Sequence, residues 1–557
     1  MLKKIWSEHK IFIFIFLMAL VLRFWGISTT AVASDAALYA FRALGWVDYL
    51  GGGQSSPIIW FGQIPWWGNL SFHDQPPLVF ALMHLSMRLF GQSSLAVLLP
   101  SLLAGLGATI IIHLILLRFR NKTEALMGAG FFSLSSYAVW TARTGYLESV
   151  ELFFIILSIY WFLVYWQTKQ RGYLYGWAAA TGFALMSKYT ALFLLPAVFV
   201  FILLYKPALF IKKRMLLAAG IIIAVLSPVI VYNVMVFKTR GHFDAALSSI
   251  VGMSPDDYAV LSSRGSGFDI LGNLYAFGNT LSGMMSLPLL LAFVASAVVI
   301  IWQATDRKVS FFKRFLALNL LFLIVMFFFN QASPRFLPIV LPFFTISLAV
   351  IANQVWRIVR RSMLAAVVLV AFLLSSLTLE FAYAINTNLV KNPAGQLGTH
   401  YATDRFFDTG FYDLDEYLRH QIYEPLASPS RPTTLEDLLG VDSTSRDIIL
   451  IDERANWFAR TWYFTRYMVY YDVPILDFTS LSQLTQGQRI SVEDFFNATR
   501  AKSLWFVYAV PDGLPTNQNN FTAADTLAQN IESAATVPAT EIKNYKGEVV
   551  FKVFKLK

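Results

Sequence analysis

Residues 1–44 read MLKKIWSEHKIFIFIFLMALVLRFWGISTTAVASDAALYAFRAL. A cationic start (Lys3, Lys4, Lys10) runs into an apolar stretch, IFIFIFLMALVL, and only then into polar sequence with an acid, Asp35. The beginning has the charge pattern of a signal peptide, but no small-residue cleavage site closes it, so it reads as a retained first membrane helix. The same alternation recurs. Apolar stretches at 97–117, 215–236, 284–303, 315–329, 336–352 and 363–379 approach the roughly 20 residues that cross a bilayer. A buried helix of a soluble protein would normally keep a polar face.

Composition agrees. Of 557 residues, 56% are hydrophobic and 14% charged, and mean hydropathy is +0.55. A soluble domain is closer to half apolar and a quarter charged. Net charge is +10, which in a soluble chain would suggest nucleic acid. Here the cations sit in short loops between apolar spans, so no nucleic-acid partner is expected. The chain has no cysteine, which excludes disulfides and thiolate metal sites.

Six basic clusters alternate with the spans: Lys3/Lys4/Lys10, Arg118/Arg120/Lys122, Lys169/Arg171, Lys206/Lys212/Lys213/Arg214, Arg307/Lys308/Lys313/Arg314 and Arg357/Arg360/Arg361. The positive-inside rule places all six in the cytoplasm. The loops 29–96, 142–148, 187–191, 237–283 and 330–335, and everything after about 385, then face outside a cell membrane. This holds if the short stretch 77–90 (PPLVFALMHLSMRL), with His84 and Arg88, is an interfacial helix and not a span. The expected fold is a polytopic α-helical membrane protein of about eleven transmembrane helices. Its domains are 1–385, with juxtamembrane helices in loop 29–96, and an extracytoplasmic α/β domain at 386–557. In the latter, DIILID (447–452), PILDF (474–478), SLWFVYAV (503–510) and EVVFKVFKL (548–556) read as strands. Helical stretches at 455–470, 491–500 and 522–533 lie between them, an α/β alternation.

Charges beside membrane spans are costly and tend to be functional. Asp35 begins a helical pattern, so it is either a helix cap or a general base whose partial burial raises its pKa toward working pH. Asp74 precedes Pro76 and Pro77, where a Pro pair also makes an ordinary helix entrance. Arg143 and Glu148 bracket the junction of two spans, as a structural ion pair or as functional charges. Lys188 and Arg335 are isolated cations on the outer face. They either snorkel or meet a fixed anion, for which Arg offers a bidentate fork and Lys a point charge. Two acids and several cations at one surface suit a substrate with phosphate at headgroup level, a polyprenyl tail in lipid and a sugar in water. Cations would stabilise the phosphate as leaving group, so the acids need not form the acid/base pair of a glycoside hydrolase.

In these motifs the sequence resembles the dolichyl-phosphate-mannose-protein-mannosyltransferase-like glycosyltransferases, which share the GT-C fold with the lipid A aminoarabinose transferase. The elements are Asp35-Ala36-Ala37-Leu38-Tyr39, Asp74-Gln75-Pro76-Pro77-Leu78, Arg143 with Glu148, Lys188 in a short turn, and Arg335 in PRFLPIVLP. The resemblance covers roughly residues 1–385 and implies an inverting glycosyltransferase that moves a sugar from a polyprenyl-phosphate donor to a glycan, lipid or protein acceptor at the external face. It implies Asp35 and Asp74 as catalytic acids, with Asp35 the base. Arg143, Lys188 and Arg335 would bind the donor phosphate, and Tyr39, Gln75 and Glu148 would position substrate. The sequence departs from the family pattern at Ala36, which replaces a second acid, and at Leu38, where some members carry Arg. The first weakens the case for a metal. No cofactor is required; a divalent metal would call on His73 and His242, although a lone His is more often structural. The competing function is a transporter or flippase of lipid-linked sugars, which would need polar residues deep in the spans and often repeated halves; no repeat is visible.

Overall fold

A computed structural model of the chain describes residues 2–48, 56–258, 270–306, 308–329, 333–390, 409–423, 429–439, 447–456, 460–479, 481, 502–511, 522–534 and 538–556. The fold has two compact units, Met1–Ile27 with Leu70–Leu82 and Leu98–Thr403, and Ser28–Asn69 with Met83–Val97 and Asp404–Lys557.

The first unit is a helical bundle. Among the described residues, seven helical stretches can cross a membrane by length and composition: His9–Thr29, Ser94–Phe119, Leu147–Thr168, Lys213–Arg240, Phe311–Phe328, Leu337–Val359 and Met363–Asn388. Further apolar helices include Tyr189–Tyr205 and Leu287–Gln303. Lys122–Leu134 with Ser136–Arg143, and Arg171–Ser187, fill the other two stretches expected to cross. The chain is thus a multi-pass membrane protein. The loop expected at 237–283 holds more helix than its sequence suggested, Ala245–Ile250 and Ile270–Met284.

Local chemistry explains the breaks. Asn121 caps the helix that follows it by accepting from the Glu124 backbone N–H at 3.0 Å, and its side chain also donates to the Glu124 carboxylate at 2.8 Å. The first bond satisfies a helix-start N–H that would otherwise go unpaired. The helix ends at Ser135. The next one starts with the Ser136 N–H donating to Glu380 at 3.0 Å, while the other Glu380 oxygen accepts from the Ser286 N–H. One buried carboxylate in the last span therefore serves two helix starts, where a negative charge also meets the positive end of each dipole. Gly107 lets two spans approach closely: a Cβ there would lie 2.6 Å from the Phe153 ring, the small-residue packing typical of membrane bundles.

The second unit is built on a five-stranded sheet: β1 (Ile448–Ile451), β2 (Ile475–Asp477), β3 (Leu504–Ala509), β4 (Thr540–Lys543) and β5 (Val549–Lys555), in the order β2-β1-β3-β5-β4. β1 runs parallel to β2 and β3, with Ile449 opposite Ile475 and Trp505. β5 is antiparallel to β3 and β4. Leu450, Phe506 and Phe554 form a core with Ala524, Ala528 and Ile531, from one face of the helix Ala523–Ala534. The four strands expected from sequence are present; β4 is an addition, because its TEIK alternates weakly. The helix expected at 455–470 is shorter, Arg466–Tyr471 after a π-helical turn, Thr461–Thr465. The stretch expected at 491–500 lies outside the described residues.

Candidate functional site

In the first unit, two cations from distant sequence meet on one ring. The Lys188 ammonium lies 3.9 Å from the Phe336 ring centroid, and the Arg335 guanidinium carbon 4.9 Å from the same centroid. Each gains from the negative face of the ring. Lys188 leaves its helix at an extended residue (φ −165°, ψ 145°). Its side chain turns back to an ion pair with Glu148, in the first turn of the helix Leu147–Thr168. Glu148 is 1% and Lys188 7% exposed, so neither charge can be removed without stranding the other. One helical turn on, Glu151 is also fully buried and accepts from the Thr190 hydroxyl. The spacing of Glu148 and Glu151, three apart on one helix, puts both on one face.

Arg143 has a different occupation. Its Nη1 donates to the carbonyls of Leu22, Arg23 and Trp25 at 3.2, 3.0 and 2.9 Å. These are the unpaired carbonyls that end the first helix, where a cation is favoured. The Tyr137 hydroxyl, buried nearby in sequence, donates to the Pro334 carbonyl, next to Arg335.

Asp74 is half-buried and lies in a tight turn in which the Gln75 carbonyl accepts from the Ser71 hydroxyl and the Phe72 N–H, both at 3.4 Å. The His73 ring, fully buried, has Nε2 3.9 Å from Asp74 Oδ1 and stacks on Tyr258 at 6.1 Å. The His73 carbonyl accepts from the Ala245 N–H at 2.6 Å. This joins the loop to a second acid, Asp244, which caps the helix Ala245–Ile250. Asp244 accepts from the Tyr189 hydroxyl at 2.7 Å and the Asn233 amide at 2.8 Å. Burial first, and then the charge of Asp74, push the Asp244 carboxyl up from its ordinary range, against the pull of these hydrogen bonds. Asp74 is therefore one of two electrostatically coupled carboxylates. Asp244 was not singled out from sequence; a capping-type Asp after a span gives no signal beyond its loop position.

His242 is committed on both ring nitrogens, to the Phe243 carbonyl and to Asp257, each at 2.7 Å. Arg240 shares Asp257 at 2.9 and 2.5 Å. Among the described residues no three His, Asp or Glu side chains gather into a metal-holding group.

Asp35 and Tyr39 belong to the second unit. Asp35 is the first residue of the helix Asp35–Gly45, not its cap; the cap is Ser34, whose side chain makes no capping bond. Ser34 has φ 57° and ψ −139°, a backbone that L-residues rarely adopt and that costs on the order of 1–3 kcal/mol. Asp35 is half-buried, and one turn on the Tyr39 hydroxyl lies 3.4 Å from its Oδ2. The C-terminal part of the unit grips this segment at both ends. The Tyr463 hydroxyl accepts from the Val32 N–H at 2.9 Å. The Tyr470 hydroxyl donates to the Phe41 carbonyl at 2.8 Å, and its ring lies where a Cβ at Gly45 would fall, 2.1 Å away.

Residues 74–232 match the family model described as dolichyl-phosphate-mannose-protein mannosyltransferase. A Bacillus subtilis (strain 168) protein named "Putative mannosyltransferase YkcB" is 28% identical over 170 residues, 29% of this chain and 23% of that one; the match spans about a quarter of that relative's length. Among solved structures, ArnT from Cupriavidus metallidurans bound to undecaprenyl phosphate is 12% identical and covers 98% of both chains with a TM-score of 0.55. The apo Archaeoglobus fulgidus oligosaccharyltransferase is 12% identical and covers 90% of this chain and 70% of its own, with a TM-score of 0.56. The fold is that of the GT-C membrane glycosyltransferases, and the resemblance read from the motifs holds.

Proposed function

We propose that this chain is an inverting glycosyltransferase that moves a sugar from a polyprenyl-phosphate donor to an acceptor hydroxyl at the outer face of a cell membrane, with residues 386–557 on that face. The supporting observation is the convergence of Lys188 and Arg335 on Phe336, two cations 147 positions apart in a segment that overlaps the mannosyltransferase match. ArnT, of the same fold, was solved with undecaprenyl phosphate, a lipid phosphate of the kind the proposed donor would leave after transfer.

In the proposed reaction the acceptor oxygen attacks C1 of the sugar from the side opposite the phosphate. The acceptor O–C1 bond forms as the C1–O(phosphate) bond breaks, and its electron pair leaves on the phosphate oxygen. Lys188 and Arg335 stabilise that charge, so the leaving group needs no proton. Asp35 takes the proton of the acceptor hydroxyl. Its orientation is set by Tyr39 and by the strained turn at Ser34. Asp74, coupled to Asp244, orients the acceptor. Glu148 holds Lys188 in place, and Arg143 anchors the first helix. Gln75 fixes the turn that presents Asp74. No step uses a metal. The C-terminal part of the second unit positions the Asp35 helix through Tyr463 and Tyr470.

The test is transfer by the purified chain from a polyprenyl-phosphate sugar to an acceptor, with a mass-spectrometric comparison of surface glycans in cells with and without it to identify both. Loss of one glycan, lipid or protein modification is expected. Unchanged glycans together with impaired movement of lipid-linked sugar across the membrane would establish the transporter reading instead.

A further inference from the structure

At the other end of the first helix lies a cavity of about 170 Å³, against the roughly 10–15 Å³ that one water needs on the same scale. His9, Lys10, His113 and Lys122 line it, together with Phe12 and Leu117 among its apolar residues. None of the described residues lining it is acidic. Glu124, two residues beyond Lys122, is committed to Arg120, Asn121 and Asn353 at 2.7–2.8 Å.

His113 is the telling residue. It is 4% exposed and its ring stacks on Phe12 at 3.9 Å. Its Nδ1 is buried without a hydrogen-bond partner, so the tautomer with the proton on Nδ1 has a donor to offer. A buried polar atom left unpaired costs on the order of 1–3 kcal/mol, so a cavity beside it is a place for a group that satisfies it. Lys10 is exposed and stands where the first apolar span begins. Lys122 stands just past the end of the span Ser94–Phe119, so the cations sit at the level of lipid headgroups. Ile11 and Leu117, also in the lining, are 53% and 36% exposed and present apolar surface to lipid. From Lys10 to the Arg143-bound carbonyls near Arg23 is about 20 Å along the helix, so this cavity is separate from the cations assigned to the donor.

We propose that this cavity binds the phosphate of an anionic membrane phospholipid, with its acyl chain along Ile11 and Leu117, on the side that carries the basic clusters. Basic pockets between membrane helices on that side are suited to such headgroups. The exposed apolar rim favours a lipid over free phosphate, which would have no use for it. The site is independent of the transfer reaction.

The probe is phosphatidylglycerol in nanodiscs that also contain phosphatidylcholine, read by native mass spectrometry of the full chain and its co-released lipid. The wild type is expected to retain phosphatidylglycerol in preference to phosphatidylcholine. Lys10→Gln with Lys122→Gln should lower that retention on the order of tenfold, the loss of two headgroup-level cations, and His113→Phe should lower it as well. If the double variant does not fold, Lys10→Gln alone, at an exposed position, is expected to show a smaller loss of the same sign. Equal retention by variants and wild type, or no preference for phosphatidylglycerol in the wild type, overturns the proposal. Stabilisation of the lipid-free wild type by inorganic phosphate as large as that by phosphatidylglycerol overturns the lipid assignment and leaves a free-anion site.

Discussion

Glu148 and Lys188 allow folding and chemistry to be separated. Both are almost completely buried and form one ion pair. Breaking a buried pair by removing one partner costs about 3–5 kcal/mol, because the survivor is left charged and desolvated; replacing both by neutral groups of similar volume is often close to neutral. Glu148→Gln and Lys188→Met should therefore each destabilise the bundle by roughly that amount, less whatever part the Phe336 ring, worth about 0.5–2 kcal/mol to the ammonium, holds back in the first. The double variant should recover at least about 2 kcal/mol of the summed loss, a coupling read directly from the cycle. Reversible unfolding of the full chain in mixed micelles, followed by tryptophan fluorescence, gives the four stabilities. Transfer gives a different pattern: the double variant folds well but stays inactive, since Lys188 is the proposed phosphate cation. Additive destabilisation would refute the stranded-charge argument, and recovered transfer in the double variant would refute the phosphate role.

Four further outcomes follow from the same geometry. Asp35→Asn should abolish transfer, by about 10²-fold or more, with insertion and fold intact; full activity in a purified assay removes the base assignment. Arg335→Ala should raise the donor KM more than the acceptor KM, and an unchanged donor KM counts against it. Tyr463→Phe strips the Val32 N–H of its partner at the approach to Ser34 and should lower kcat several-fold with little change in donor KM; equal kcat would mean the C-terminal unit does not position Asp35. Asp525 supplies a pH test: burial would raise its carboxyl, but bonds from the Tyr508 hydroxyl, the Thr522 N–H and Arg454 win and hold it at about 2. A depressed acid stabilises the folded state above its unfolded value near 3.8 and loses that contribution as pH falls toward 2, worth about 2 kcal/mol here. Asp525→Asn should therefore destabilise the C-terminal unit at pH 5 and much less at pH 2, by acid-unfolding curves of the two full-length proteins.

The membrane architecture was legible because span length and charge asymmetry are local properties. Runs near 20 residues and the basic clusters between them place helices without any tertiary information, and the broken pair Lys122–Leu134 and Ser136–Arg143 runs from the basic cluster at 118–122 to the loop expected at 142–148. The strands β1, β2, β3 and β5 were visible as apolar runs between polar segments, whereas β4 is short and half-polar and exists because β5 supplies its partner groups. Glu380 was invisible in its role: an acid in a span reads as a transport group, yet it closes two helix starts more than 90 positions away.

The site divides along the same line. Lys188 and Arg335 stood out as lone cations on a face otherwise poor in them, and their shared ring is a fact of packing that no window of sequence contains. Arg143 looked equivalent to them by charge and position, but three helix-end carbonyls occupy its Nη1. Charge and position alone did not show that Arg143 ends the first helix; the three carbonyls within its reach do. The same reasoning explains the C-terminal unit, which carries no motif. The hydroxyls of Tyr463 and Tyr470 bond backbone groups of the Asp35 segment, the Val32 N–H and the Phe41 carbonyl, while the Tyr470 ring also packs on the Phe41 ring at 5.0 Å. Backbone is identical at every residue, so a contact of this kind leaves no signature in the partner's sequence, except at Gly45, where the Tyr470 ring leaves no room for a side chain. Gly45→Ala is accordingly the substitution in the first loop that should unsettle the Asp35 helix without touching a charge. Overpacking of this kind costs about 1–3 kcal/mol, more than the roughly 1 kcal/mol that Ala returns as a better helix former.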